Sequence, residues 1–329
     1  MSTPTNGPAR AHRGAAITGW GTALPGHVVT NADLEARLDT TDEWITGRTG
    51  IKERRHGGTT ASLAIEAGRV ALDAAGLTGA DIDYLLLATC SPDYQIPSTA
   101  SEVEAALGIG GGASDLNAAC SGFVYGLVHA HGLIAMGLSR ILLIGAETMS
   151  RLTDPDDRNT AILFGDGAGA VVIEATDGDD SLLSFDLGSD GTLRPLLDAP
   201  IGGYMQMNGK EVFRRAVSVM VSSASSSMAS AGVTADDITL LVPHQANIRI
   251  IDAACQRLGI SADRIASVLH ATGNTSSASI PLALVDALDR GRVRAGDLVL
   301  LVGFGAGMSW ASAVLRWPEV GPDIGGGAP

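Results

Sequence analysis

The chain has 329 residues, of which 45% are hydrophobic and 4% are aromatic, and its formal net charge is −14. This length is enough to bury a large core and suggests two domains or one duplicated fold. The strong negative charge argues against broad binding of nucleic acid or of acidic membranes, and no apolar run reaches the length of a membrane span.

The ends of the chain and its cysteines indicate its surroundings. Segment 1–13 is rich in Ser, Thr, Pro and Gly without an apolar core, so we expect a disordered tail and no signal peptide. A second flexible tail is expected at 319–329. Three cysteines, at Cys90, Cys120 and Cys255, are too few for a disulfide framework and favour a reducing compartment. A cytoplasmic location is therefore expected.

An internal repeat organises the sequence. Segments 75–88 and 231–242 each carry an Ala-Gly-X-Thr turn, a short acidic stretch and an apolar run, and the apolar runs 140–145 and 297–303 follow in the same order. Such self-similarity indicates two copies of one unit. Alternating helices and short apolar strands predict buried, largely parallel sheets covered by helices. The halves expected from this repeat span residues 14–176 and 177–318.

The segment 115–122 holds the first candidate for chemistry, Cys120, where a short apolar stretch ends and a helical pattern begins. The partial positive charge of a helix N-terminus favours the thiolate, which is the nucleophile. In the repeat, this segment aligns with the segment around Asn274 so that Cys120 stands opposite Asn274, and His244 follows a strand of the second half. Because ligand sites gather beyond strand ends in such folds, these three side chains are predicted to converge.

Six stretches of the sequence together form an ordered set of motifs. They are Asp42-Glu43-Trp44-Ile45 with Arg48-Thr49-Gly50-Ile51, Asn117-Ala118-Ala119-Cys120-Ser121-Gly122-Phe123, Phe164-Gly165-Asp166-Gly167-Ala168-Gly169, Val242-Pro243-His244-Gln245-Ala246-Asn247, Gly273-Asn274-Thr275-Ser276 and Gly303-Phe304-Gly305-Ala306-Gly307. With this set the chain resembles the β-ketoacyl-acyl-carrier-protein synthase III family of the thiolase superfamily, from about Gly14 to Trp317. The resemblance implies an α/β fold, the thiolase-like duplicated αβαβα fold of five layers, and a homodimer.

The resemblance also implies a decarboxylative condensation. Cys120 takes an acyl group from acyl-CoA, and malonyl-acyl-carrier protein then loses CO₂ and attacks the acyl-cysteine, which gives a 3-oxoacyl-carrier protein and initiates fatty acid or polyketide synthesis. His244 and Asn274 match the family's donors to the enolate, and the backbone N–H groups of Cys120 and Ala306 match its oxyanion hole. Phe304 matches the aromatic residue that crowds the leaving carboxylate. No metal and no permanently bound cofactor are implied.

Further residues match the family's binding positions. Trp44 and Arg158 match the pair that sandwiches the adenine of CoA, although Arg158 also fits a surface ion pair with Asp156 or Asp157. The other residues expected to bind CoA are Thr40, Arg48 and Asn247. Docking of the carrier protein is expected at Arg214, Arg215, Arg249 and Arg257.

Two departures from the family's pattern leave the identity of the primer acyl group undetermined. Ile96 stands where the family can carry an aromatic residue that closes the acyl pocket of the partner subunit. The segment 176–208 looks shorter than the family's corresponding region, which borders the substrate channel. The sequence therefore does not select between acetyl, branched and longer acyl groups.

Other functions are weighed by the residues they require. A degradative thiolase needs a second catalytic cysteine near the C-terminus, and segment 303–307 carries none. A hydroxymethylglutaryl-CoA synthase needs a glutamate base near the cysteine, which the sequence does not place. Two alternatives stay open: transfer of the acyl group from Cys120 to a hydroxyl or amine of a natural product, and a non-catalytic partner subunit. A scaffold has no need of Cys120, His244 and Asn274, which argues against the second alternative.

Overall fold

The computed structural model describes residues 13–178 and 180–318, so both expected tails lie outside the described residues apart from Arg13. The strands are β1 Gly14–Ala23, β2 His27–Thr30, β3 Glu53–His56, β4 Tyr84–Ala88, β5 Gly112–Leu116, β6 Arg140–Thr148, β7 Asp166–Thr176, β8 Leu182–Ser189, β9 Leu197–Asp198, β10 Gln206–Met207, β11 Leu240–Pro243, β12 Leu298–Gly305 and β13 Ser309–Arg316. The helices are α1 Asn31–Glu35, α2 Asp42–Thr49, α3 Thr60–Ala75, α4 Thr99–Leu107, α5 Gly122–Ala135, α6 Arg158–Ala161, α7 Gly209–Ala231, α8 Ile248–Leu258, α9 Leu269–Thr272 and α10 Ser279–Asp289.

Two central sheets carry the fold, and their strand orders correspond. The first sheet has the order β1-β7-β6-β4-β5, and the second has the order β8-β13-β12-β11. In both, neighbouring strands among the first three pair antiparallel, and the fourth strand is parallel to the third. The repeat predicted from the sequence therefore appears as two sheets of one topology. This arrangement supports, as a proposal, a division of the chain into 14–176 and 177–318.

The expectation of largely parallel sheets is wrong. Among the described residues, only β4 with β5 and β4 with β6 pair parallel in the first sheet, and only β11 with β12 in the second. The antiparallel strands are as apolar as the parallel ones because helices cover both faces of each sheet. Hydrophobic runs of this kind indicate burial on two faces and do not fix strand direction.

The repeated Ala-Gly-X-Thr turns end two outer helices. Helix α3 stops at Gly76 with a φ of 69°, and α7 stops at Gly232 with a φ of 70°. This left-handed conformation has little steric cost for glycine, which lacks a Cβ, so the turn satisfies the last helical carbonyls. In both halves the chain then returns to a buried strand, β4 or β11.

The helices and sheets form five layers. Helices α3 and α4 pack on the outer face of the first sheet, and α7 and α8 pack on the outer face of the second. The buried helices α5 and α10 lie between the two sheets and contribute to one shared core. The expected αβαβα fold is confirmed. In the part of the chain that the structure describes, no helix combines the length and the apolarity that a membrane crossing requires.

Candidate active site

Cys120 lies in the turn that joins the first sheet to helix α5. The 3-10 turn Ala119–Ser121 comes after β5 and leads directly into α5. Ala119 adopts a left-handed conformation with a φ of 47°, and its N–H donates to Asn117 Oδ1 at 3.1 Å. The side chain of Cys120 is largely buried, with the residue 8% exposed. The candidate nucleophile thus stands at the start of a central helix.

The second half builds a matching turn beside it. The 3-10 turn Ser276–Ala278 leads into α10, and its first residue has a φ of 49° and donates its N–H to Asn274 Oδ1 at 2.9 Å. This geometry makes Asn274 the counterpart of Asn117 and sets Ser277 opposite Cys120. The sequence alignment that paired Cys120 with Asn274 is wrong by three residues, because a run of small residues does not fix the register of a turn.

The hydrogen bonding of Asn274 determines what it offers to a substrate. Its Oδ1 is engaged by the N–H of Ser276 at 2.9 Å, and the residue lines the same cavity as Cys120. An amide has two N–H donors on its nitrogen besides its carbonyl oxygen. Asn274 therefore presents Nδ2 as a hydrogen-bond donor.

His244 is held in the tautomer that makes it a donor as well. Its Nδ1 lies 2.7 Å from Ser279 Oγ, and that oxygen accepts from the N–H of Gln245 at 3.3 Å. The Ser279 hydroxyl hydrogen is thus free to donate to Nδ1, which leaves the proton of a neutral ring on Nε2. Burial lowers the pKa of His244 to about 3. The ring is therefore neutral at neutral pH, and Phe304 packs against it edge to face with ring centroids 5.3 Å apart.

Burial also dominates the electrostatics of Cys120. The pKa of the thiol is raised to about 12, chiefly by burial, which outweighs the lowering effect of Ser276 and is reinforced by the negative charge of Glu147. The thiolate expected at the helix start is therefore not the resting state, because the cost of burying a charge exceeds the benefit of the helix N-terminus. Reaction at this sulfur requires additional stabilisation of negative charge.

The glycines before Ala306 allow the backbone to reach the nucleophile. A Cβ added to Gly305 would lie 2.6 Å from the Cys120 nitrogen, and one added to Gly303 would lie 3.4 Å from the Cys120 carbonyl oxygen. No side chain fits at the first of these distances. The end of β12 therefore passes directly over Cys120, which brings Ala306 to the cavity wall beside it.

One cavity of about 1470 Å³ unites these groups. Cys120, His244 and Asn274 all line it, although they come from three separate parts of the chain. Phe304 and Ala306 line it too. A nucleophile, two neutral side-chain donors and a closely approaching backbone therefore meet in a space large enough for an extended ligand.

Comparison with known proteins agrees with this geometry. The model of "3-Oxoacyl-[acyl-carrier-protein (ACP)] synthase III" matches residues 114–191, and the model of its C-terminal part matches residues 228–317. Beta-ketoacyl-[acyl-carrier-protein] synthase III from Roseiflexus castenholzii is 47% identical, over 92% of this chain and 98% of its own. The protein of that name from Rhodobacter capsulatus is 48% identical, over 92% and 99%. This chain belongs to the 3-oxoacyl-acyl-carrier-protein synthase III family.

Solved structures of the family superpose closely. The enzyme of this name from Aquifex aeolicus has a TM-score of 0.91 at 43% identity, over 92% of this chain and 100% of its own. A priming β-ketosynthase from a polyketide biosynthetic pathway has a TM-score of 0.90 at 35% identity, over 95% and 99%. The similar structures thus include one named 3-oxoacyl-[acyl-carrier-protein] synthase III and one named for polyketide priming.

The expected adenine site is closed in this member of the family. Arg158 lies 4.3 Å from the ring centroid of Trp44, and Arg48 lies 5.1 Å from it. A flat ring between two such groups needs about 7 Å, which is two van der Waals contacts of about 3.5 Å. Arg158 would therefore have to move to admit adenine. Its ionic partner is Asp39 at 3.6 Å, so the suggested pairing with Asp156 or Asp157 is wrong.

The other residues expected to bind CoA differ in whether they line the cavity. Asn247 lines the cavity, as do Trp44 and Arg48, and it caps α8 by accepting from the N–H of Arg249 at 2.9 Å. Thr40 lies outside the cavity wall, and its buried hydroxyl has no hydrogen-bond partner among the described residues.

Cations surround the cavity mouth. Of the four expected docking arginines, Arg249 lines the cavity, with its guanidinium 5.6 Å from the Phe213 ring centroid. The other three are exposed on α7 and α8 outside the wall: Arg214, which pairs with Glu211 at 2.7 Å, Arg215 and Arg257. Sequence reasoning missed Arg194 and Lys210, which also line the mouth. Lys210 is the second residue of α7 and lies one turn before Arg214, and that spacing is the signal that would have found it.

The primer-pocket residues lie apart from one another. Ile96 is 88% exposed and does not line the cavity formed by its own chain. Segment 176–208 does contribute to the wall, through the 3-10 turn Gly191–Leu196 and through Leu197 and Met205 near the short pair β9 and β10. The segment that the sequence identifies as short therefore borders the channel.

A buried carboxylate was missed altogether. Glu147 is 0% exposed, and its Oε1 accepts from Ser276 Oγ at 2.9 Å and from Ser277 Oγ at 2.8 Å. Cys90 Sγ lies 3.3 Å from the same oxygen, and the N–H of Ser91 donates to the other oxygen at 3.0 Å. Glu147 thus ties the loop after β4 to the turn after Asn274. Nothing in the apolar run of β6 marks it as part of a site.

Among the described residues, the remaining cysteines and acidic groups do not form a metal centre. Cys90, Cys120 and Cys255 are free thiols, and Cys255 is buried within α8. Across residues 13–178 and 180–318, no three His, Cys, Asp or Glu side chains cluster in a way that would hold a metal ion.

Proposed function

We propose that this protein condenses an acyl-CoA primer with malonyl-acyl-carrier protein, through an acyl group on Cys120, to give a 3-oxoacyl-carrier protein. The observation that carries this proposal is the convergence of Cys120, His244 and Asn274 on one cavity of about 1470 Å³. The relatives named for such synthases, and the one named for polyketide priming, support initiation of fatty acid or polyketide synthesis.

We propose a role for each group that its geometry supports. The sulfur of Cys120 attacks the thioester carbonyl of acyl-CoA, and the backbone N–H groups of Cys120 and Ala306 hold the oxyanion. In the second half-reaction the malonyl group loses CO₂, and negative charge develops on its thioester oxygen. Nε2–H of His244 and Nδ2–H of Asn274 are neutral donors suited to that oxygen. Phe304, 3% exposed, makes the departing carboxylate's surroundings apolar.

The positive charge at the cavity mouth supports the proposed binding partners. Acyl-CoA and an acidic carrier protein both carry negative charge, and the mouth presents Arg48, Arg194, Lys210 and Arg249. Such a local patch attracts acidic partners although the chain as a whole carries a charge of −14. A cytoplasmic site of action is part of the proposal, supported by three free cysteines.

A homodimer is also proposed. In the described chain β5 is the outer strand of the first sheet, with one edge unpaired, and an open edge is a template for a second strand. Ile96 and Tyr94 lie in the loop that follows strand β4 of that sheet, and they are 88% and 62% exposed. A second copy that covers both features would place Ile96 at its partner's acyl pocket.

The test of this function separates condensation from its alternative. The wild-type protein is loaded with a panel of acyl-CoA primers, and intact mass identifies which acyl group is retained. The loaded protein is then given malonyl-acyl-carrier protein or a set of hydroxyl and amine acceptors. We expect release of CO₂ and a 3-oxoacyl-carrier protein. Transfer to a hydroxyl or amine without CO₂ would establish acyl transfer instead, and no loading at all would favour a non-catalytic subunit.

Arg249→Glu is expected to impair use of the carrier protein and to spare loading from acyl-CoA. Reversal of one charge at the mouth removes an attraction for an acidic partner and adds a repulsion, so the loss should weaken as salt is raised. The measurement is kcat/KM for malonyl-acyl-carrier protein at several salt concentrations. Arg290→Glu, which reverses the charge of an exposed arginine directly after α10 and outside the cavity wall, is the comparison. Unchanged carrier-protein kinetics in Arg249→Glu would remove this residue from the docking site.

Ile96→Phe is expected to shift primer preference toward acetyl-CoA. A larger side chain at the partner's pocket leaves less room, and each buried methylene contributes about 0.8 kcal/mol, or roughly a fourfold preference. We therefore expect the wild-type protein to load branched or medium-length acyl groups at least as well as acetyl. Competition between acetyl-CoA and isobutyryl-CoA measures the shift. Identical ratios in the two proteins would show that Ile96 does not limit primer size.

A further inference from the structure

The two turns at the centre of the fold each pack against the end of a strand. The first turn carries Cys120, and the second carries Ser277 at the same place. A Cβ added to Gly303 on β12 would lie 3.4 Å from the Cys120 carbonyl oxygen, and one added to Gly145 on β6 would lie 2.5 Å from the Ser277 carbonyl oxygen. Gly303 and Gly145 are therefore counterparts, and the ends of the two strands can be compared position by position.

The position two residues further along each strand distinguishes the two turns. In β12 it is Gly305, where an added Cβ would lie 2.6 Å from the Cys120 nitrogen, so the strand meets that turn without a side chain. In β6 it is Glu147, which is 0% exposed. Its Oε1 accepts from Ser276 Oγ at 2.9 Å and from Ser277 Oγ at 2.8 Å. The second turn is thus bound by a buried carboxylate that the first turn lacks.

The carboxylate of Glu147 is fixed by the loop after β4. Its Oε2 accepts from Thr89 Oγ1 at 3.1 Å, and the N–H groups of Cys90 and Ser91 donate to the same oxygen at 3.1 Å and 3.0 Å. A buried carboxylate is tolerated where such donors satisfy it, and together they set its orientation. Glu147 therefore presents Oε1 to the second turn from a fixed place.

The backbone of the second turn depends on its surroundings. Ser276 has a φ of 49°, a left-handed conformation that a residue with a Cβ keeps where neighbouring groups hold it. In this conformation its N–H donates to Asn274 Oδ1 at 2.9 Å. Because that bond engages the carbonyl oxygen of the amide, it determines where Nδ2 points. The turn that Glu147 binds therefore orients the side chain of Asn274.

The backbone of Asn274 is anchored separately. Its N–H donates to the carbonyl of Leu163 at 2.8 Å, and its own carbonyl accepts from the N–H of Gly165 at 3.0 Å. Neither bond involves Glu147. Loss of the bonds between Glu147 and the turn should therefore reorient the amide and leave the chain at Asn274 in place.

We propose that Glu147 is a positioning residue for decarboxylation, which holds Nδ2–H of Asn274 toward the malonyl thioester oxygen through the turn at Ser276. This inference rests on the proposed condensation and on the proposed role of Asn274 in it. Glu147 does not line the cavity that the described residues form, so it acts through Asn274. Loading of Cys120 uses backbone donors in the proposed mechanism, so the effect of Glu147 belongs to the second half-reaction.

Glu147→Gln tests this role with little change in side-chain shape. The variant exchanges one acceptor oxygen for an NH₂ group, which cannot accept from the donors around it. We expect kcat for condensation to fall roughly 10-fold to 100-fold, the scale of a lost hydrogen bond to a charged group. Loading from acyl-CoA and KM for malonyl-acyl-carrier protein should change little. Single-turnover measurements on preloaded protein give the rate of condensation by itself.

A double variant shows whether the effect passes through Asn274. In an Asn274→Ala background, Glu147→Gln should lower the rate of condensation by less than about twofold more, because the amide that it orients is already gone. A general loosening of the site would instead multiply the losses of the two single variants. This comparison separates positioning from a merely structural role.

Ser276→Ala is a second test that does not depend on how Glu147→Gln folds. Alanine adopts the same left-handed conformation in the first turn, at Ala119 with a φ of 47°, so the turn can form. The variant loses the hydrogen bond from this side chain to Glu147. We expect condensation to slow by roughly 10-fold, with loading retained and with little further loss in the Asn274→Ala background.

Thr89→Val is the matched control. It removes a donor to Oε2 of Glu147, the oxygen that does not bind the turn, and keeps the shape of the side chain. We expect a lower melting temperature with both half-reactions retained. A loss of condensation in Thr89→Val as large as in Glu147→Gln would assign the effect to stability and overturn the proposal.

The remaining outcomes separate this role from the proposed function. Normal condensation in both Glu147→Gln and Ser276→Ala, an equal loss of loading, or losses that multiply with Asn274→Ala would refute the role of Glu147 alone. A wild-type protein that does not load, or that releases no CO₂ from malonyl-acyl-carrier protein after loading, would refute the proposed function.

Discussion

Cys120→Ala should abolish loading of the protein by acyl-CoA. In the proposed mechanism the sulfur is the attacking atom, and alanine offers no replacement nucleophile at this position. The wild-type protein should gain the mass of one acyl group, carried by the peptide that contains Cys120. The variant should gain none above the background of unreacted protein. Alanine is close in size to cysteine at this site, which is 8% exposed, so the fold should be retained.

Cys255→Ala is the comparison that shows the loss to be specific. Cys255 is a buried free thiol in α8 and has no place on the cavity wall, so its removal should leave loading unchanged. Label that persists in Cys120→Ala, or that maps to Cys90, would show that a different thiol carries the acyl group.

The sequence predicted the duplication but not its register. Apolar runs at 84–88 and 240–242 identified the corresponding strands β4 and β11, because buried strands and the glycine turns before them leave a clear pattern. The two turns that carry the chemistry are short and are built from small residues, so their alignment slipped by three positions. The hydrogen bonds of Asn117 and Asn274 to the N–H two residues ahead are what relate the turns. Such bonds are invisible in a one-dimensional comparison.

Residues that hold other residues of the site in place could not be predicted from the sequence either. Glu147 stands within a strand that is otherwise apolar, and its partners come from three separate segments of the chain. Ser279 orients His244 from a distance of 35 residues in sequence. The resemblance to a family identified the candidate side chains, whereas the tautomer of His244 and the raised pKa of Cys120 follow from burial and from these partners.

His244→Ala and Asn274→Ala should separate the two half-reactions. In the proposed mechanism their side-chain donors serve the enolate, while backbone N–H groups serve the acyl-transfer oxyanion. Loss of one such donor lowers a rate by roughly 10²-fold or more, about 2.7–4 kcal/mol. Each variant should therefore still load Cys120 from acyl-CoA and lose condensation with malonyl-acyl-carrier protein by at least that factor. Single-turnover measurements on preloaded protein isolate the second step.

The state of His244 sharpens this expectation. Because burial lowers its pKa to about 3, the ring does not gain a proton as pH falls from about 8 to about 6, where an ordinary histidine titrates. Condensation should show no inflection from this residue in that range. His270→Ala, which removes an exposed histidine on α9, should leave both half-reactions intact. An equal loss of loading and condensation in His244→Ala would mean that this residue supports the nucleophile, and the division between side-chain and backbone donors would then be wrong.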